Sequence, residues 1–260
     1  MIQQILYYLN SVIALPFLPV LSYLGKRVEK EIPQLPEASE NITGKITGKK
    51  EVINLLTIGE STIAGVGVTD HKDGITGQIA MFLNQITQKT VNWQVVAKNG
   101  YTAQRVQEQL VKLIPQINFD MIVVGLGAND TFQFNSPLTF KRHIFALITK
   151  LRQSQPQAKI VIISVPPVSD FPAFPKLLKF FLGNLVKLHG NIIKDISTFY
   201  PSVFYMPKIL RMKDWLNFEN RKLTPQDLFS DGIHPSALTY SIWGKEVVDF
   251  MLKNEIVFAS

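Results

Sequence analysis

The sequence predicts an α/β fold built on a five-stranded parallel sheet. From Val52 onward, five short apolar runs alternate with longer amphipathic stretches, the pattern of repeated βαβ units. The first and third runs, residues 53–58 and 121–125, are mostly apolar, as suits strands covered on both faces. Short blocks of Gly, Asn, Asp and Ser stand at the ends of these runs or just ahead of the last helix. Open parallel sheets gather their ligands at such strand ends.

Each element has its own signal. Residues 53–58 form the first strand, which Gly59 ends. Residues 75–87 form a helix with Ile79, Phe82, Leu83 and Ile86 along one side. The second strand covers 91–97, and a helix over 103–114 stops at Pro115. Residues 121–125 are the third strand, 138–152 a helix and 160–164 the fourth strand. After Pro166 and Pro167, a Phe-rich passage leads into a long helix over 176–196. Residues 202–206 are the fifth strand, and 235–253 close the chain as a helix.

A chain of 260 residues can bury one substantial core. With 46% hydrophobic and 18% charged residues it is globular, not disordered. A net charge of +7 favours anionic surfaces. The basic residues are scattered and accompany no nucleic-acid-reading motif, so a membrane surface is the expected partner and nucleic acid is not. The absence of cysteine excludes disulfides, Cys-ligated metals and thiol nucleophiles.

The sequence divides into an apolar N-terminal segment at 1–25, a polar linker at 26–51 and a domain at 52–260. Residues 2–24 carry no charged side chain and are nearly long enough to span a bilayer, although Pro16 and Pro19 interrupt them. Lys26, Arg27 and Lys30 follow at once, and the positive-inside rule keeps such an end cytoplasmic. The readings are a broken anchor, an in-plane helix, or a helix packed on the protein's own core.

Four blocks carry the chemistry: Gly59-Glu60-Ser61, Asn99-Gly100, residues 127–130 (Gly-Ala-Asn-Asp) and residues 231–235 (Asp-Gly-Ile-His-Pro). A serine nucleophile needs a base, an orienter for that base and donors for an oxyanion. Among the four histidines, His234 stands three residues after a carboxylate in a Gly-containing loop. Asp231 can therefore orient His234 as base for Ser61. The Ser61 and Gly100 amides and the Asn129 side chain supply three oxyanion donors. His71, His143 and His189 show no ligand spacing, and no metal or cofactor is expected.

In this order, Ser61, Gly100, Asn129 and His234 resemble the four name-giving residues of the SGNH (GDSL-type) serine hydrolases. Residues 127–130 match the family's Gly-x-Asn-Asp block, and 231–234 its Asp-x-x-His block. The resemblance covers the domain from Val52 onward. It implies a flavodoxin-like three-layer α/β/α sandwich, no metal, and hydrolysis of esters or thioesters through an acyl-serine intermediate. One departure is Glu60, where the family usually has Asp. Gly65-x-Gly67 lacks the third glycine of a dinucleotide fingerprint. Gly59-x-Ser61 lacks the glycine at 63 that a nucleophile elbow requires.

Phe171, Phe174, Phe180 and Phe181 lie between the fourth strand and its helix. They read either as an acyl-pocket wall or interfacial lid, or as helix packing against the sheet. With the apolar N-terminus and the basic balance, the expected substrate is a hydrophobic or lipid ester. The alternatives are removal of acetyl groups from a glycan or cell-envelope polymer, and a binding domain that keeps the fold without turnover.

Overall fold

The computed structural model describes residues 15–207, 214, 216 and 223–259. Of the apolar N-terminal segment, residues 1–14 therefore lie outside the described residues. In chain order the elements are helix α1 (Leu18–Glu31), strand β1 (Thr43–Ile46), β2 (Lys50–Gly59), α2 (Ile75–Thr87), β3 (Lys89–Ala97), a helical stretch α3 (103–113), β4 (Met121–Gly125), α4 (Ala128–Phe132), α5 (Pro137–Ser154), β5 (Lys159–Ile162), α6 (Lys176–Ser197), β6 (Val203–Tyr205), α7 (Pro225–Leu228) and α8 (Ala237–Lys253).

The sheet has six strands, not five, in the order β1-β3-β2-β4-β5-β6. Five are mutually parallel and include every strand expected from the sequence. The sixth, β1, pairs antiparallel with β3 and comes from the stretch read as a linker. Its four residues, Thr-Gly-Lys-Ile, alternate between exposed and half-buried. So short and polar an edge strand gives little apolar signal, and it blunts the sheet edge against unwanted pairing.

Helices cover both faces. Helices α2 and α8 pack together on one side, while α3, α5 and α6 lie on the other. Leu55, Leu56 and Ile58 of β2 are fully buried between these layers, as is every residue of β4. Two helix starts are set by serine caps: Ser136 Oγ accepts from Thr139 N at 3.2 Å and Ser236 Oγ from Thr239 N at 3.3 Å. Helix α3 departs from the expected regular helix, since its middle, Val106–Leu110, is π-helical. Lys150 Nζ donates to the Gln107 carbonyl at 3.0 Å there, a side chain inserted into the helical ladder.

From β2 the chain moves to β3 on one side, then crosses to β4 on the other. This reversal opens a crevice at the carboxyl ends of β2 and β4, the usual ligand position in such sheets. At its floor Gly59 pairs with Gly125, and a side-chain carbon on Gly59 would overlap the Gly125 carbonyl. Helix α1 packs on α6 and buries Leu21 and Val28. Among the described residues, no helix is long and apolar enough to cross a membrane.

Candidate active site

Ser61 follows directly on β2 and is half-buried; its carbonyl accepts from Val66 N at 3.1 Å. The loop that carries it turns at Gly65 and Gly67, both in the left-handed region. A side chain on Gly67 would strike the Pro235 carbonyl, so the serine loop lies tight against the histidine loop. Tyr240 Oη donates to the Val66 carbonyl at 2.7 Å, and Ser230 Oγ to that of Gly67 at 3.3 Å. The two loops, distant in sequence, are thus stapled together.

Asp231 organises the histidine loop. Its Oδ1 accepts from Ile233 N at 2.9 Å and His234 N at 2.7 Å, and its Oδ2 lies 2.7 Å from His234 Nδ1. An ionised carboxylate only accepts, so Nδ1 is the donor of this bond. Burial pushes the Asp231 carboxyl up, but the His234 ring and the two amides outweigh it and hold it below the ordinary aspartate value.

Glu60 stands beside Ser61 with 1% of its surface exposed. Its Oε1 accepts from Ala128 N at 2.8 Å, and its Oε2 from Asn129 N at 3.1 Å and Asn129 Nδ2 at 2.8 Å. The carboxyl thus caps α4 and grips the side chain of Asn129. Burial pushes Glu60 up to about 8, against the pull of these donors. The Asn129 Nδ2 also donates to the Tyr101 carbonyl, at a longer 3.2 Å. Asp130, next in the chain, accepts from Ala103 N at 2.8 Å and Asn135 Nδ2 at 2.8 Å, tying α4 to α3.

Gly100 is exposed in a left-handed turn after β3. The turn is held by Glu37, which accepts from Asn99 N at 2.6 Å and Lys98 Nζ at 3.0 Å. Among the described residues, neither the Gly100 N–H nor the Ser61 hydroxyl makes a hydrogen bond. His234 and Ser61 line the same cavity and are not hydrogen-bonded to one another.

That cavity has a volume of about 720 Å³ and is lined by Ser61, Asn99, Gly100, Asn129 and His234 together with apolar side chains. Of the four phenylalanines singled out in the sequence, Phe171 and Phe174 line it. Phe180 and Phe181 do not; they lie on α6 beside Phe17, with Phe181 buried and Phe180 exposed. Among the described residues, no cluster of three or more His, Asp or Glu side chains is arranged to hold a metal.

Three contributors escaped the sequence reading. One face of α1, with Leu18, Leu21, Gly25, Val28 and Ile32, forms a wall of the cavity. Its signal is an apolar spacing of three and four residues that runs from the segment at 1–25 into the stretch at 26–51 expected to be a linker. Phe134 lines the cavity from a left-handed backbone at φ 53°, fixed by Phe134 N to Thr131 O at 3.0 Å. Glu37, in the presumed linker, had no signal at all.

The GDSL-like Lipase/Acylhydrolase family model matches residues 57–242, most of the chain. No curated protein sequence matches. Among solved structures, a possible lipase from Chitinophaga pinensis is 19% identical with a TM-score of 0.52, covering 79% of this chain and 100% of its own. The psychrotrophic esterase EstA from a Pseudoalteromonas species is 16% identical (TM-score 0.53, 78% of this chain and 98% of its own). The carbohydrate acetylesterase Est24 from Sinorhizobium meliloti is 15% identical (TM-score 0.51, 78% and 99%). These likenesses establish the shared fold. The family match, which runs from β2 into α8 and takes in all four chemical blocks, makes this chain a member of the GDSL-like lipase/acylhydrolase family.

Proposed function

We propose that the protein is a serine hydrolase that cleaves carboxylic esters with hydrophobic acyl groups. The observation that carries the reading is the hydrogen-bonded His234–Asp231 pair, which faces the same largely apolar cavity as the unbonded Ser61 hydroxyl. Ser61 Oγ attacks the ester carbonyl carbon while His234 Nε2 takes its proton. Asp231 steadies the imidazolium that forms. The Ser61 and Gly100 amides and one N–H of Asn129 Nδ2 hold the tetrahedral oxyanion. Collapse breaks the bond to the alcohol, which leaves with the proton from His234. Water then enters, loses its proton to His234 and releases the acid from the acyl-serine.

In this scheme Glu60 and Tyr101 set the direction of the Asn129 carboxamide. Glu60 keeps one N–H, and the oxyanion takes the other in place of the longer bond to the Tyr101 carbonyl. Phe171 and Phe174, with the inner face of α1, enclose the acyl chain. The protein works at a membrane surface, on the side where α1 meets the cavity.

Hydrolysis of p-nitrophenyl esters of graded length by wild type and Ser61→Ala tests this. The wild type favours medium over acetyl chains, labels with a fluorophosphonate, and loses both properties in the variant. The similarity to Est24, a carbohydrate acetylesterase, supports a second reading as a deacetylase. A preference for acetyl esters selects that reading, and a wild type that neither turns over nor labels selects a binding domain.

A further inference from the structure

Around the outer end of α1 the surface is apolar. Phe17, Leu18, Val20 and Tyr23 are between 39% and 64% exposed. The Phe17 ring packs on Phe181 at 5.8 Å, and Phe181 on Phe180 at 5.3 Å, so the patch continues onto α6, where Phe180 is 58% exposed. Leu18 belongs both to this patch and to the cavity wall, which makes the patch the rim of the cavity.

The patch has a basic border. On α6, Lys176, Phe180 and Lys187 fall on one helical face, four and seven residues apart. Lys176 and Lys187 are exposed, and α6 carries no acidic residue until Asp195. On α1, Lys26 and Lys30 are exposed one and two turns beyond Tyr23, while Arg27 is paired with Glu31 at 2.7 Å. The chain ahead of Leu18 contains no charged side chain.

We infer that this face docks on an anionic phospholipid bilayer, so that the cavity rim meets its substrate at the lipid surface. Exposed aromatic and aliphatic side chains suit the headgroup–acyl boundary, and the lysines behind them suit lipid phosphates. A second copy of this chain is a poorer occupant, because it would bring like-charged lysines together around the seam. Docking itself stands on the surface alone; that the bilayer supplies the substrate rests on the ester-hydrolase reading above.

The test uses full-length Ser61→Ala, which leaves vesicles chemically intact. It is sedimented with phosphatidylcholine vesicles with and without phosphatidylglycerol, and again with Val20→Ser/Tyr23→Ser or Lys176→Glu/Lys187→Glu added. The parent binds the anionic vesicles, and each pair of substitutions weakens binding roughly tenfold or more. Equal binding to both vesicle types, binding unmoved by either pair, or a dimer that either pair dissociates overturns the inference. Hydrolysis of a soluble short ester, measured with the same substitutions on the wild-type background, stays unchanged. Absence of that hydrolysis in wild type sinks the enzyme reading and leaves the docking result to stand or fall separately.

Discussion

Glu60 decides more at the residue scale than its neighbour Ser61 suggests. Glu60→Asp shortens the side chain by one methylene and draws the carboxyl back from Asn129, whose Nδ2 it holds at 2.8 Å. The expected result is a fall of about tenfold in kcat with little change in KM, against about 10²–10³ for Asn129→Ala. In the Asn129→Ala background Glu60→Asp changes kcat by less than about twofold, since the contact it serves is already gone. Additive losses would show that Glu60 supports the fold and not the carboxamide. The same carboxyl imposes a pH dependence. It sits at about 8 against an ordinary 4.5, so between those values the folded protein holds a proton that the unfolded chain has lost. Stability contributed by this group therefore declines as pH rises from 5 to 8. Thermal unfolding of Glu60→Gln, which lacks this group, follows a flatter course over that window.

At the scale of elements, α1 separates what periodicity reveals from what it hides. The spacing of Leu18, Leu21, Val28 and Ile32 marks an apolar helix face whether that face meets lipid, core or cavity; only the packing of α1 on α6 decides. Helix α2 was legible to its boundaries, because its stripe of Ile79 and Leu83 is fully buried where the helix packs against the sheet and α8. The four chemical blocks were legible because Gly, Asn and Asp at strand ends break the apolar pattern. Glu37 and Phe134 were not, since an acid in a polar stretch and a phenylalanine in a turn look ordinary until their backbone partners are known. The α1 wall makes its own prediction. Gly25 lines the cavity with no atom within 4 Å of the position a side chain would take. Gly25→Phe keeps the helix and fills the cavity from that side. The expected outcome is a loss of about tenfold or more in kcat/KM for long acyl esters with short ones nearly unaffected.

For the whole molecule, the topology of the sheet does the assembling. Ser61, Gly100 and Asn129 leave the carboxyl ends of β2, β3 and β4, three adjacent strands, so the pairing that builds the core also sets their spacing. The close approach of β2 and β4 at Gly59 and Gly125 is part of that pairing. Gly59→Ala forces the two backbones apart, and an overpacking cost of about 1–3 kcal/mol follows. Urea unfolding measures it, and an unchanged midpoint would mean that the strand ends can yield without disturbing the sheet.

The staples between the two loops have a consequence for biosynthesis. Tyr240 on the final helix fastens Val66, and Gly67 fits only against Pro235. A nascent chain whose sheet is complete but whose last helix is still inside the ribosome holds Ser61 without His234 fixed beside it. The turn that carries Ser61 reaches its final shape only once that helix has formed and Tyr240 has bonded the Val66 carbonyl.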